Sequence, residues 1–456
     1  MSEENKNRQQ LACHYIQDNY VAFQRLRFDC IAQKVQLREE ESSPQHLPDG
    51  QGDCQMRWRY ITNADINSMV CDCCAETGAN ISAKEILTVL NAGSRYIPRV
   101  HPLREYVLSL RPYTPDQPDW IDMVARQVTV KPTPTPSLKG GESSWQIKSF
   151  PSGEDLGEAT ALWHQCFKKW FVAMVASWLK DEVVNHQVLV LIGRQGIFKT
   201  TWLEHLIPPH LRAYCCKLAN ATQLSKDDRL RIAEFGLINM DELDAMTPRE
   251  LNAMKSVITS TDVNERAAYG RLKERRVRLA SFCASTNNRE FLTDITGNRR
   301  WLPFEVESIQ NPFDDIILYE RLYAQAKAYV ECGYFAYWFD MDEIEVLEQH
   351  NEKFRALENE EELLPLLFDK PAEGKGEVMT TAEISDRLAT YGGIKKPMSI
   401  RKLNAILEHH EYKAVRPYVD GKQVRGWLVY RRKQDEIEIK QKELANKSQR
   451  QEDTLY

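Results

Sequence analysis

Val188-Leu-Val-Leu-Ile192 runs directly into Gly193-Arg-Gln-Gly196-Ile-Phe-Lys199-Thr200. An unbroken apolar run of this length reads as a strand buried on both faces. The two glycines mark a sharp turn, and the lysine-threonine pair opens a helix. Backbone N–H groups that curl round such a turn, together with the free donors and dipole of the helix N-terminus, form an anion site. In a loop of this kind Lys199 reaches the β and γ phosphates of a nucleotide and the Thr200 hydroxyl holds Mg²⁺. Gly193, Gln195, Gly196 and Thr201 complete the expected cradle. The residue before the lysine is Phe198 where glycine is usual, so a bulky side chain must turn outward as the loop passes the phosphates. Taken alone, an ordinary strand-turn-helix corner accounts for the segment equally well.

About forty residues downstream, Phe235-Gly-Leu-Ile-Asn-Met240 leads into Asp241-Glu242. An aspartate ending a neighbouring strand can bind the metal shell, and an adjacent glutamate can orient and deprotonate an attacking water. A third apolar strand, Leu279-Ala-Ser-Phe-Cys-Ala-Ser-Thr286, ends in Asn287-Asn288, and Thr296-Gly-Asn-Arg299-Arg300-Trp301 follows. The Asn287 amide can sense the water or the γ-phosphate. Arg299 or Arg300 can spread over the charge of the leaving phosphoryl group, from the same chain or a neighbouring copy. An isolated Arg-Arg pair is more commonly a surface ion-pairing element. Four stations in this order favour the functional reading.

This order of motifs resembles the virulence-associated protein E family of mobile-element P-loop ATPases, related to superfamily 3 helicases. The resemblance extends to His101-Pro-Leu-Arg-Glu-Tyr-Val-Leu108 and Phe167-Lys-Lys-Trp-Phe-Val-Ala-Met-Val175 upstream. Downstream, Tyr323-Ala-Gln-Ala-Lys327 and Tyr337-Trp-Phe339 are similar to Bacteroidetes members that carry a further C-terminal domain. It spans roughly residues 65 to 430 and implies ATP and Mg²⁺ binding and work on phage, plasmid or integrative-element DNA.

The 456-residue chain carries a formal net charge of −6 and eleven cysteines without a regular framework. That length suggests two to four domains. The cysteine usage fits a reducing cytoplasm, and the polar start, Met1-Ser-Glu-Glu-Asn-Lys6, is unlike a signal peptide. No apolar run reaches the roughly eighteen residues of a membrane span, so no membrane partner is expected. Cys71 and Cys74 have a zinc-knuckle gap, but no second Cys or His pair follows them. Small cysteines on a helix are the better reading.

Composition divides the chain into a polar, strand-poor N-terminal region (1–62), a helical domain (63–130) and a Pro/Gly-rich connector (131–155). An ATPase domain (156–307), a helical connecting region (308–375), a winged-helix-like module (376–432) and a charged tail (433–456) follow. Trp163, Phe167, Trp170, Phe171, Met174 and Trp178 lie at helical spacing and read as core, with Lys168 and Lys169 on the wet side. The acidic stretches from Asp340 and Glu358 read as solvated helix faces.

Two basic segments suggest DNA. Arg266 to Arg278 holds six cationic residues against one glutamate, and Gly270 offers a turn. Superfamily 3 helicases have a DNA-contacting hairpin in this position, which nominates Arg271 and Lys273. From Lys395 to Arg432, ten cationic residues face three acids. Helices at Thr381–Thr390 and Ser399–His409 and strands around Asp420-Gly421-Lys422 suggest a winged helix, with Arg401 and Lys402 opening the recognition helix and Lys422 at the wing. The first segment reads alternatively as a solvated basic hairpin or as arginines, such as Arg266, that serve the ATP site of an adjacent subunit, and the second as a protein-binding module or a packing lid.

The expected fold is therefore α/β: a P-loop NTPase core of the AAA+ or superfamily 3 helicase type, a helical N-terminal region and a C-terminal winged-helix-like module. The expected activity is DNA-associated ATP hydrolysis with Mg²⁺ in the cytoplasm. Lys199, Glu242, Asn287, Arg299 and Arg300 serve catalysis, and Thr200 and Asp241 hold the metal. Expected partners are single-stranded or forked DNA and further copies in a dimer or ring. A nucleotide-dependent switch with weak hydrolysis is the alternative, and a phosphotransferase a third.

Overall fold

The computed structural model describes residues 3–39, 58–92, 95–132, 158–218, 226–243, 246–265, 273–292, 298–314, 316–371, 376–416, 418–419, 422–423 and 425–453. They fall into two units. The first comprises Met1–Arg289 with Arg300–Val346, and the second Glu290–Arg299 with Leu347–Tyr456. The expected connector falls almost wholly outside the described residues.

At the N-terminus, helix α1 (Glu3–Ile16) precedes strands β1 (Leu26–Asp29), β2 (Lys34–Arg38) and β3 (Trp58–Tyr60). Helices α2 (Asn63–Thr77) and α3 (Ala83–Leu90) and strand β4 (Arg99–Val100) follow. The strands form one sheet in the order β3-β2-β1-β4, over which Ile16, Leu26, Val35, Met69, Ile86 and Leu90 close a shared core. The expected strand-poor region is thus corrected: three of its segments are strands, and it packs as one body with residues 63–100. Its strands are short and rich in polar residues, so their alternation is weak. Buried Asp29 compensates by accepting hydrogen bonds from the Ile31 N–H (2.8 Å), Tyr60 Oη (2.9 Å) and Tyr214 Oη (2.6 Å). Helix α2 starts with a reciprocal Thr62–Asp65 capping box. It carries buried Cys73, with Cys71 exposed, and Cys74 Sγ engages the Ile81 backbone.

The central sheet begins after helices α4 (Pro102–Ser109) and α5 (Trp120–Ala125), with strand β5 (Val128–Val130). Helix α6 (Glu158–Leu179), strand β6 (Val188–Ile192), helix α7 (Lys199–His205), strand β7 (Cys215–Leu218), helix α8 (Lys226–Glu234), strand β8 (Leu237–Met240) and helix α9 (Pro248–Thr259) follow. A hairpin of β9 (Asp262–Glu265) and β10 (Glu274–Val277) precedes strands β11 (Ser281–Thr286) and β12 (Trp301–Ile309) and helix α10 (Tyr319–Cys332). The order is β5-β12-β6-β11-β8-β7, parallel throughout except for β5. Every residue of β6 is buried, as a central strand covered on both faces requires. Parallel pairing brings the carboxyl ends of β6, β8 and β11 to one edge, where open α/β sheets bind ligands.

The aromatic stripe of α6 is core: Trp163, Phe167, Trp170, Phe171, Met174 and Trp178 are all fully buried. Their indole N–H groups are satisfied on backbone carbonyls, Trp163 by Ala125 O (2.9 Å), Trp170 by Phe282 O (3.0 Å) and Trp178 by Gly236 O (3.2 Å). A Cβ at Gly236 would sit 2.5 Å from Leu103 and 3.0 Å from the Trp178 indole, so this close approach needs glycine. Lys169 does not lie on the wet side as expected. It is buried and bonds Glu343 and the Trp338 carbonyl (3.0 Å). An amphipathic helix as broad as α6 buries even its flanking lysine once a carboxylate is provided.

The β9–β10 hairpin occupies the expected basic segment. Its connection, with Arg266, Gly270 and Arg271, lies outside the described residues, and Lys273 is exposed at its edge. Arg275 pairs with Asp262 (2.6 Å) and Arg276 with Glu234 (2.7 Å). Arg278 is 1 % exposed; its guanidinium donates to the backbone carbonyls of Ala280 (3.1 Å), Asn185 (2.8 Å) and Ile258. Burial, which disfavours the charged guanidinium, lowers its pKa.

The chain passes between units along helix α11 (Met341–Asn351). The second unit contains helix α12 (Asn359–Leu367), strands β13 (Phe368–Asp369) and β14 (Glu377–Thr380), and helices α13 (Thr381–Gly392) and α14 (Ile400–His409). Strands β15 (Lys413–Val415), β16 (Tyr418–Val419), β17 (Lys422–Gln423) and β18 (Gly426–Arg431) and helix α15 (Gln434–Asp453) complete it. Strand β18 pairs antiparallel with β13, β14 and β15, and β16 with β17. Leu364, Leu367, Ile384, Leu403, Ile406 and Trp427 form its core. The Glu358 run is not a solvated face: Glu360 and Glu361 are buried. Glu360 accepts from the Met398 N–H (2.7 Å), while Glu361 takes both arms of Arg355 (2.6 and 2.7 Å) and His410 (2.9 Å).

Candidate nucleotide site

The turn from β6 into α7 builds the first wall. Gly196 (φ +83°) and Phe198 (φ +65°) both take left-handed backbone, which turns the chain sharply enough to open α7 at Lys199. Phenylalanine carries a steric penalty there of roughly 1–2 kcal/mol that glycine lacks. Its side chain is 38 % exposed and borders the cleft without closing it. A Cβ at Gly193 would meet Val306 O at 2.9 Å, so the exit from β6 also needs glycine.

The cleft has a volume of about 360 Å³ and is lined by Gln195, Lys199, Thr200 and Thr201 from the turn and helix, Asp241 and Glu242 after β8, and Asn287 after β11. Lys199 Nζ donates to Gly193 O (2.6 Å), Arg194 O (2.7 Å) and Asn287 Oδ1 (3.1 Å). Its charge is thus held over the turn by groups that a phosphate can replace. Thr200 Oγ1 donates to Asp241 Oδ1 (2.8 Å), and Ser285 Oγ bonds the same oxygen. Lys217 Nζ lies 2.6 Å from Asp241 Oδ2. Burial works to raise the Asp241 pKa, but bonds from Lys217, Ser285 and Thr200 outweigh it and hold the carboxyl below its usual value. Glu242 is exposed at the rim with φ +57°, a strained conformation of a kind that gathers at functional sites.

The donor set suits a hard divalent cation. A hydroxyl and an ionised carboxylate meet at one point, a second hydroxyl backs them, and no soft ligand intervenes. Thr200 and Asp241 would hold Mg²⁺ there.

Two participants carried no motif. Ser285 stands two residues before Asn287, on the same face of a buried strand, and a hydroxyl at such a strand end is the available signal. Lys217 comes from β7, beyond β8 at the sheet edge, and only the pairing register brings it alongside Asp241. Other nominated residues lie elsewhere. Arg300 belongs to the first unit but does not line the cleft, and Arg299 belongs to the second unit. Lys273 is at the hairpin, Arg401 is exposed on α14, and Lys402 pairs with Glu358. Lys422 lies on β17, and Arg271 is outside the described residues.

A mixed α/β unit with a polar cleft at the carboxyl edge of its parallel sheet is the class that fold and site define. Residues 154–356 match the model of the virulence-associated protein E-like domain, which covers the cleft and its supporting strands. No curated protein matches the chain. Among solved structures, the A-form apo structure of the NrS-1 C-terminal region is similar at 12% identity and a TM-score of 0.38, covering 89% of this chain and 96% of that one. A second structure of that region gives 10% identity and a TM-score of 0.40, covering 90% and 98%. No described helix is long and apolar enough to cross a membrane.

Proposed function

We propose that the protein is a Mg²⁺-dependent P-loop ATPase, of the superfamily 3 helicase-like type, that works on DNA in the replication or transfer of a mobile element. The observation that carries this reading is the 2.8 Å bond between Thr200 and Asp241 beside Lys199. The start of α7 and the end of β8, 41 positions apart, thereby offer one site for phosphate and metal. The virulence-associated protein E-like match over the same residues supports the mobile-element setting.

Lys199 leaves the turn carbonyls to hold the β and γ phosphates, with Gly193, Gln195, Gly196 and Thr201 framing them. Bound Mg²⁺ would neutralise phosphate charge as a Lewis acid. Glu242 takes a proton from the water that attacks the γ-phosphorus, the bond to the bridging β–γ oxygen breaks, and ADP and phosphate leave. Asn287 orients that water. Arg299 or Arg300 of a neighbouring copy would meet the developing charge, which calls for a dimer or ring. Exposed Lys273 and Arg401 offer phosphate-backbone contacts, and α13, α14 and the β16–β17 hairpin have the parts of a winged helix.

ATP turnover of the purified chain, with and without single-stranded and forked DNA, tests the reading. Turnover raised by DNA and abolished by Glu242→Gln is expected. ATP binding without phosphate release would instead identify a nucleotide-dependent switch, and ADP release that requires a small-molecule acceptor would identify a phosphotransferase.

A further inference from the structure

The geometry points to Lys217 as a displaceable cation in the metal position: its ammonium neutralises Asp241 until Mg²⁺ and nucleotide arrive, and so sets the Mg²⁺ concentration at which the site loads. This rests on the reading of the cleft as a Mg²⁺-nucleotide site and adds a residue that no motif assigns.

Three observations carry it. Lys217 Nζ lies 2.6 Å from Asp241 Oδ2, on the carboxylate oxygen left open when Thr200 and Ser285 bond the other. The Lys217 side chain is 48% exposed whereas Asp241 is 17% exposed, so the lysine reaches in from water and can withdraw without disturbing the core. Lys217 also stands on β7, whose backbone is fixed by parallel pairing with β8. Departure therefore needs only rotation of a flexible four-carbon stem.

Charge decides the competition. An ammonium and a divalent cation on one carboxylate repel each other in a partly desolvated cleft. Lys199 does not play this part, because it is turned onto the Gly193 and Arg194 carbonyls and Asn287. A triphosphate brings negative charge that draws Lys199 off those carbonyls and supplies further metal ligands, which tilts the balance from Lys217 to Mg²⁺. At low Mg²⁺ the lysine keeps Asp241 paired and the site closed to the metal.

The test is calorimetric titration of Mg²⁺ into the full chain saturated with a non-hydrolysable ATP analogue, for the wild type, Lys217→Ala and Lys217→Arg. Loss of a partly exposed ion pair corresponds to roughly a two- to fivefold change. Lys217→Ala should therefore bind Mg²⁺ about two- to fivefold more tightly, with no weakening of nucleotide affinity at saturating Mg²⁺, and Lys217→Arg should stay near wild type. Unchanged Mg²⁺ affinity in Lys217→Ala overturns the proposal. Weaker nucleotide binding at saturating Mg²⁺ overturns it too, by making Lys217 a phosphate ligand. Failure of the wild type to bind the analogue in a separate titration overturns the nucleotide-site reading, and the proposal with it.

Discussion

Phe198 holds a backbone angle that glycine would adopt freely, at the residue that turns the chain into α7. Phe198→Gly exchanges that strain for greater freedom of the unfolded chain and should leave stability within about 1 kcal/mol. Phe198→Val puts a β-branched side chain at the same φ and should cost at least about 1 kcal/mol, read from urea unfolding midpoints. Asp241 has a different kind of constraint, since Thr200, Ser285 and Lys217 all bond it. Lys199, Thr200, Asp241, Glu242 and Asn287 are legible in the sequence because each follows an apolar strand run, the first two across a glycine turn that opens a helix and the others directly at the strand's end. Lys217 is not, because its role comes from a neighbouring strand's register and leaves no trace in local pattern.

Arg278 ties three segments together: among the described residues it meets no carboxylate, and it donates to carbonyls from α9, the α6–β6 connection and its own β10–β11 connection. Arg278→Met would take its donors from these carbonyls in a buried setting, at a cost of roughly 2–4 kcal/mol. Hydrogen exchange should then quicken across β9 and β10 more than across β6; protection unchanged in the hairpin would show that Arg278 does not anchor it. At this scale the sequence is readable where a face is uniformly apolar, as in β6 and α6. It misleads where charge is buried in pairs. Glu361 looks solvated in a run of acids, yet Arg355 and His410 enclose it. The N-terminal strands are hidden for a related reason, because Asp29 and Gln36 are polar residues satisfied inside the layer.

The whole molecule divides into two units with separate cores, and acid should separate their stabilities. Burial tends to raise the Glu361 pKa, but His410 and Arg355 prevail and hold it at about 2, against an ordinary 4.5. A depressed carboxyl stabilises the fold fully above its unfolded value, and that contribution fades as pH falls from about 4.5 toward 2. Glu361→Gln should therefore be markedly less stable than wild type at pH 7, with the Tm difference narrowing through that window. A difference independent of pH would contradict the pairing. The chain's mild net negative charge conceals such local arrangements, and at the hairpin it conceals the reverse: Arg275 and Arg276 are already paired, leaving less free cation than the composition suggests.

The proposed function requires Lys199, Thr200 and Asp241 to form a single site for the phosphates and metal of ATP. Equilibrium binding of a fluorescent ATP analogue in Mg²⁺ to the wild type and to Lys199→Ala tests it most directly. Saturable binding by the wild type and affinity at least about tenfold weaker in the variant, a loss of roughly 1.4 kcal/mol or more, are expected. Equal affinity in the two folded proteins, or no binding by the wild type, would contradict it.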